Sequence, residues 1–300
     1  MILVIRIVTE SKIAIGTVQF GTNYGVSNKS GVTPVTEVKK IINLAQENNI
    51  KYFDTAPVYG ESEQVLGKCL NNYGEIITKT ISIKNKVISE ADIVNIRSEF
   101  NRSLKRIKRD SVYALLVHNS NDLTKKGSER LHDELCSLKD EGKIKKIGLS
   151  AYTADDIDSV ISRYEMDLIQ LPVNLFDQRL IHNGYLKSIS EKGIEIHARS
   201  VFLQGLLLMP LNSIPAYFNK YKKQLDNYRQ CAKQCGLTLL QASFGFVHSL
   251  KQINNLIVGV TNSNELKEIV LASNENIEFE QFFDLAIADP QLINPSLWKL

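Results

Sequence analysis

Short β-branched apolar runs alternate with longer amphipathic stretches along the whole chain. The runs read as strands at 13–18, 50–53, 76–78, 113–117, 144–149, 168–171, 194–197 and 255–258. Helical periodicity fills the intervals, beginning at 35–48, with Pro34 near the first turn and Thr33 as a candidate cap. Further helices are predicted at 62–70, 90–107, 128–141, 154–163, 184–192, 216–235 and 264–273. Strict strand–helix alternation implies a parallel sheet covered by helices.

Eight such units in 300 residues are what a closed (β/α)8 TIM-type barrel requires. The rival, a doubly wound open sheet, announces itself with a glycine-rich phosphate turn after its first strand. Here Gly16 to Gly25 reads GTVQFGTNYG, which does not fit GxGxxG. No linker, low-complexity tract or longer repeat interrupts the pattern, so a single domain over 1–300 is expected.

Composition narrows the function classes. The 36 basic and 33 acidic residues are spread along the chain, which argues against nucleic acid or a membrane surface as partner. The one basic cluster, Lys105–Arg109, closes a predicted helix, where cations suit the negative end of the dipole. No uncharged apolar run reaches the ~18–20 residues of a membrane span. The opening MILVIRIVTESK carries Arg6 and Glu10 and lacks a small-residue cleavage site, so no leader is expected. Cys69, Cys136, Cys231 and Cys235 form no CxxC pair and no zinc set, and read as reduced thiols of a cytoplasmic protein. Nothing in the pattern specifies an oligomer.

Catalytic groups of such barrels sit where strands end. The second strand runs into Asp54-Thr55-Ala56-Pro57-Val58-Tyr59-Gly60, the third into Lys79 and the fourth into His118. An acid, a phenol, an amine and an imidazole on three successive strand ends form a set suited to proton transfer. A free tyrosine, with a pKa of about 10, is a poor acid at neutral pH, and a nearby ammonium is expected to lower it. Tyr59 is then the proton donor, Lys79 its activator, Asp54 the partner that keeps the lysine charged, and His118 the group that orients a carbonyl. The natural reaction is carbonyl reduction, with hydride from a cofactor, since no side chain supplies one.

The segments IAIGTVQFG (13–21), FDTAPVYGESE (53–63), ITK (77–79), LLVHN (115–119), GKI (142–144) and GLS (148–150) resemble the aldo-keto reductase superfamily. The resemblance runs in order from about residue 13 to about 270, and DTAxxYG followed by TK and LxH is its specific core. It implies a metal-free barrel binding NADP(H), less often NAD(H), across the strand C-termini, with Asp54, Tyr59, Lys79 and His118 as catalytic tetrad. It also implies cofactor contacts at Gly21, Thr22, Asp54, Ser150, Gln170, Arg199, Ser200, Gly205, Asn262 and Glu265. Three positions depart from the family pattern. Ala151 replaces the usual Asn beside Ser150, Arg199 replaces an aromatic that stacks on the nicotinamide, and Glu265 stands close to where an Arg often sits. Arg199 is expected either to stack there or to face an anionic substrate group or the cofactor phosphates. A carboxylate at Glu265 would repel a 2′-phosphate and could accept from a 2′-hydroxyl. Backbone N–H groups with Thr261, Asn262 or Ser263 could still receive a phosphate. NADP(H) is the first choice, with NAD(H) second.

Tyr24, Val58, Asn174, Phe176 and Trp298 are candidates for the substrate wall, with Trp298 equally readable as a tail anchor. The stretch after the seventh strand suggests an open site. The opening QFGTNYGV (19–26) resembles a family branch associated with bacterial sugar and surface-polysaccharide pathways, which points to a sugar-like carbonyl. The competing readings are an aldose or alcohol dehydrogenase working oxidatively and a non-catalytic cofactor-binding barrel. A metal-dependent barrel hydrolase would need an HxH or paired-carboxylate set, which these strand ends lack.

Overall fold

Eight parallel strands close on themselves in sequence order. The structure, a computed structural model, describes residues 11–274 and 279–300, so the opening segment read for a leader falls largely outside the described residues. The strands are β1 (Ile13–Gly16), β2 (Tyr52–Asp54), β3 (Glu75–Lys79), β4 (Val112–Val117), β5 (Ile144–Ser150), β6 (Leu168–Pro172), β7 (Glu195–Arg199) and β8 (Asn255–Gly259). The helices that follow β1 to β5 are α1 (Val35–Glu47), α2 (Ser62–Cys69), α3 (Glu90–Ile107), α4 (Ser128–Asp140) and α5 (Ala154–Ile161). After β6 come α6 (Arg179–His182) and α7 (Tyr185–Glu191), and after β7 come α8 (Lys222–Gln234) and α9 (Leu239–His248). The chain finishes with α10 (Ser263–Ser273) and α11 (Pro290–Ile293). Among the described residues no helix is long and apolar enough to cross a membrane.

Local chemistry accounts for the helix starts. Ser89 with Asp92, Thr153 with Asp156 and Thr238 with Gln241 form reciprocal capping boxes at α3, α5 and α9. At α1 the cap is Pro34, extended at ψ 144°, rather than Thr33, whose buried hydroxyl makes no hydrogen bond among the described residues. The basic cluster does end α3, and Lys108 closes it in the left-handed conformation at φ 58°. Arg106 also binds Glu63 and Glu99, which ties α3 to α2.

The helix expected at 216–235 begins instead as a 3-10 segment, Ala216–Tyr221, and becomes α-helical only at Lys222. Helix α9 was not anticipated. Ala242 to Val247 are all buried, so the segment has no polar face to mark its period.

Side chains alternate across each strand, so one residue in two points into the barrel. Parallel register stacks these inward positions into layers. Ile77, Ala114, Leu116 and Leu168 form a small apolar cluster of their own, apart from the large core between strands and helices. On one side of it, Tyr113, Lys146, Glu195, His197 and Asn255 make a polar network: Glu195 accepts from Tyr113 at 2.8 Å, bonds His197 at 2.6 Å and pairs with Lys146. On the other side, two residues further along the strands, come Asp54, Lys79 and Gln170. The barrel axis therefore reads polar, apolar, polar, with the last layer at the strand C-termini.

Candidate active site

Asp54 and Lys79 end neighbouring strands, and the register places Asp54 beside Ile77, two residues before Lys79. Lys79 Nζ donates to both Asp54 carboxylate oxygens at 2.7 Å and to the Thr55 carbonyl at 2.9 Å. The pair is almost wholly buried, with the lysine side chain 1% exposed. Burial alone would lower the Lys79 pKa, but Asp54 and Tyr59 outweigh it, and the ammonium is held above its ordinary value.

The backbone around Asp54 is fixed by hydroxyls. Thr17 Oγ1 donates to the Asp54 carbonyl at 2.9 Å and shares a 2.7 Å bond with Ser62, which also bonds Thr55. Tyr59 is presented by the turn that follows, closed by Tyr59 N–H to Ala56 carbonyl and Ser62 N–H to Tyr59 carbonyl bonds. Gly21 backs this turn. A Cβ there would lie 1.9 Å from the Tyr59 carbonyl oxygen, so only glycine allows the β1 loop to approach so closely.

Lys79 Nζ lies 5.2 Å from the centre of the Tyr59 ring, and the His118 imidazole stands edge-on to that ring at 6.2 Å. The ammonium pulls the Tyr59 pKa down, as expected, but does not bring it below its ordinary value. Burial pushes the phenol up, Lys79 and Arg199 pull it down, Asp54 opposes them, and the net direction is upward. His118 is depressed to about 4 by burial and by the Lys79 and Arg199 charges, so its imidazole is neutral at physiological pH.

These four residues open onto a cavity of about 720 Å³ that runs across the strand ends to the start of α10. Ser150, Gln170, Arg199, Ser200, Gly205, Asn262, Glu265 and Tyr24 also line it. Gln170 Nε2 donates to Asp54 Oδ1 at 2.7 Å, a bond the sequence did not suggest. Arg199 lies over the Tyr152 ring at 4.1 Å and donates to the Ala151 carbonyl at 3.1 Å.

Other sequence candidates lie elsewhere. Gly21 supports the Tyr59 turn, and the Thr22 hydroxyl donates to the Val18 carbonyl at 3.0 Å. Val58 is 57% exposed and is not among the residues that line the cavity. Asn174 is buried and caps its own turn, accepting from the N–H groups of Phe176 and Asp177. Phe176 packs edge-on against Tyr228 in the core. Trp298 anchors the tail: its ring meets Phe218 at 4.8 Å and its N–H reaches the Leu292 carbonyl.

Two of the loops that line the cavity also touch one another. Gly25 and Ser27 of the β1 loop meet Gln204 and Gly205 of the β7 loop, where a Cβ on Gly205 would fall 1.8 Å from Ser27 Oγ. Ser200, Leu203, Gln204 and Gly205 all have positive φ, a run of backbone strain concentrated at this bridge.

Two carboxylates hold the start of α10, and of these Glu265 lines the cavity. Glu265 accepts from Thr261 N–H at 2.7 Å and from the Thr261 and Asn262 side chains. Glu37 reaches over from α1 to accept from Ser263 N–H at 2.8 Å and Ser263 Oγ at 2.7 Å. The Ser263 N–H, followed by Lys40, holds Glu37 down at about 2. Glu37 carried no sequence signal.

The family model "Aldo/keto reductase family" matches residues 12–289. The chain belongs to the aldo/keto reductase family. It is an NAD(P)(H)-dependent oxidoreductase. The chain is 31% identical over 180 residues to aldo-keto reductase YhdN of Bacillus subtilis, a match that spans 57% of the chain and only 52% of that relative. With the NADH-specific methylglyoxal reductase of Escherichia coli it shares 27% identity over 268 residues, 78% of the chain and 81% of the relative. The barrel superposes on the holo form of aldo-keto reductase AKR11C1 from Bacillus halodurans with a TM-score of 0.74 at 19% identity, covering 96% of each chain, a likeness of fold. Among the described residues no His, Cys, Asp or Glu cluster could hold a metal ion.

Proposed function

We propose that this reductase converts a small-molecule carbonyl to an alcohol, with Tyr59 as proton donor. The observation that carries the reading is the buried Asp54–Lys79 pair set beside Tyr59 and His118 at one end of a long cavity. The nicotinamide supplies the hydride when bound. Residues along the cavity fit such an extended ligand: Ser150 lies near the tetrad, and Gln19 Oε1, a buried acceptor without a hydrogen bond among the described residues, belongs to a side chain that also lines the cavity.

Tyr59 keeps its proton at neutral pH and can deliver it to a carbonyl oxygen as negative charge builds there. Lys79 stabilises the phenolate left behind, more strongly in this desolvated site than it would in water. Asp54 holds the ammonium charged and Gln170 holds Asp54, so both are positioning residues. Neutral His118 offers an N–H to the carbonyl oxygen without competing as an acid. Sugar-like carbonyls remain the expected substrate class, and the four free thiols suit a reducing, cytoplasmic setting.

For the cofactor, the start of α10 favours NAD(H) over NADP(H). A phosphate there would face Glu37 and Glu265, which already occupy the Ser263 and Thr261 N–H groups. A hydroxyl could donate to either carboxylate. The relative from Escherichia coli is named as NADH-specific.

The test combines fluorescence titration of NADH and NADPH with turnover on an aldehyde panel. Tyr59→Phe is expected to bind NADH as the parent does and to lose turnover by roughly two to four orders of magnitude. Near-normal turnover would remove Tyr59 from its role, and binding without turnover in the parent would favour a non-catalytic barrel. NADPH binding as tight as NADH would refute the α10 reading.

A further inference from the structure

Charge along the tetrad end of the cavity does not balance. Asp54 and Lys79 cancel one another, and His118 is neutral. Arg199 adds a cation with no carboxylate paired to it among the described residues, yet it lies close enough to Tyr59 and His118 to shift both. Its orientation is set on three sides. The Tyr152 ring covers it at 4.1 Å, Nη2 donates to the Ala151 carbonyl at 3.1 Å, and Nη1 makes a long 3.4 Å contact with Ser200 Oγ. Most of the guanidinium donors are thus left uncommitted in a wall of the cavity.

A cation positioned by stacking, partly desolvated and unpaired, is costly unless a ligand completes it. We infer that Arg199, held by Tyr152 and Ala151, is a carboxylate-recognition site for the substrate, so that the preferred carbonyl compounds carry a carboxylate. This rests on the carbonyl-reductase reading and narrows its substrate class. Tyr24, also on the cavity wall, supplies an aromatic surface there. The carboxylate would pair with the planar guanidinium while the carbonyl meets Tyr59 and His118.

The experiment compares 4-carboxybenzaldehyde with 4-carbamoylbenzaldehyde, which share shape and differ in charge. Equilibrium binding of each to the NADH-saturated protein is measured by calorimetry in a Tyr59→Phe background, where turnover does not consume the aldehyde, and kcat/KM is measured in parallel with Tyr59 intact. The parent should prefer the carboxylate by roughly tenfold to a hundredfold, the scale of a charge-assisted hydrogen bond. Arg199→Gln should abolish that preference, and Arg199→Lys should retain part of it, which separates lost charge from lost folding. Equal loss for both aldehydes with weakened NADH binding would assign Arg199 to the cofactor and overturn the proposal. So would a parent without preference. If neither aldehyde turns over but carboxylate-selective binding disappears in Arg199→Gln, the recognition site stands and the reductase reading falls.

Discussion

Replacing Asp54 by asparagine removes a charge and almost no volume, so its effects report on the buried pair alone. In the parent, both carboxylate oxygens accept from Lys79 Nζ at 2.7 Å, and one also accepts from Gln170. With the lysine side chain 1% exposed, Asp54→Asn strands an ammonium that is almost wholly withdrawn from water. Removing one partner of a buried pair costs about 3–5 kcal/mol. An unfolding entropy of about 2.1 cal/mol/K per residue over a chain of this length gives ~0.6 kcal/mol/K, so the melting temperature should fall by ~5–8 °C.

The kinetic signature is separate. Once Asp54 is neutral, burial acts on Lys79 with little to oppose it, and the lysine pKa falls below its ordinary value. Turnover of the variant should then decline as pH rises through the neutral range, where the parent is level. Lys79→Met should be as destabilising as Asp54→Asn, because it leaves the carboxylate unpaired. The double variant Asp54→Asn/Lys79→Met should recover most of the stability and none of the activity, since an uncharged pair has no ion to desolvate. Melting curves by circular dichroism and steady-state rates from pH 6 to 9 test this. Single losses that add in the double variant, or an Asp54→Asn variant that melts with the parent and keeps its pH profile, would refute the coupling.

Three further outcomes follow. For the parent, kcat/KM for reduction should be level from about pH 5.5 to 9: it falls at low pH only as His118 gains a proton near 4, and at high pH only above the ordinary tyrosine range. An acidic limb centred near 6.5 would show that His118 is not desolvated. Glu195→Gln should cost roughly 2–4 kcal/mol at pH 7, because it opens the network with His197, Lys146 and Tyr113. Burial would raise the Glu195 pKa, but His197 and Lys146 hold it at about 2, so its contribution is complete above about pH 5 and is lost as pH drops through 4.5 towards 2. Parent and variant melting temperatures should therefore converge on acidification, and a constant gap would contradict the linkage. Gly205→Ala forces a side chain onto φ 90° and into Ser27, and is expected to weaken NADH binding several-fold with stopped-flow release faster than in the parent. Unchanged release would show that the bridge does not bear on the cofactor.

The fold was legible because strands of a parallel barrel are buried on both faces and appear as unbroken apolar runs. All eight predicted runs lie near their observed places; β1 was overextended into the 3-10 turn Val18–Phe20, and β2 was begun two residues early. Legibility failed where the apolar pattern loses its period. Helix α9 is apolar almost all round, and its start is marked only by Thr238 and Gln241. The stretch from 203 to 221 is 3-10 throughout its helical pieces, with Pro210 and Pro215 capping two of them, and its backbone hydrogen bonds leave no i+4 stripe to read.

At the site, what was legible followed strand position. Asp54, Lys79, Ser150 and Arg199 end strands, His118 immediately follows one and Gln170 lies two residues before the end of β6, and parallel register brings such residues to one rim. The wall residues misplaced from sequence, Asn174, Phe176 and Trp298, sit on loops or the tail, where chain order does not determine direction. What stayed hidden was partnership across the chain. Glu37 lies 226 residues from Ser263, and no local pattern marks a half-buried glutamate in the first turn of α1 as the cap of another helix. Yet it changes the cofactor question more than any rim residue does. Glu265 alone could rotate away from an incoming phosphate. With Glu37 on the Ser263 N–H and Glu265 on the Thr261 N–H, a phosphate must displace two hydrogen-bonded carboxylates rather than one to use the α10 terminus. Restoring phosphate binding should therefore require both sites to be neutralised, and Glu265→Gln alone should leave NADPH the weaker ligand.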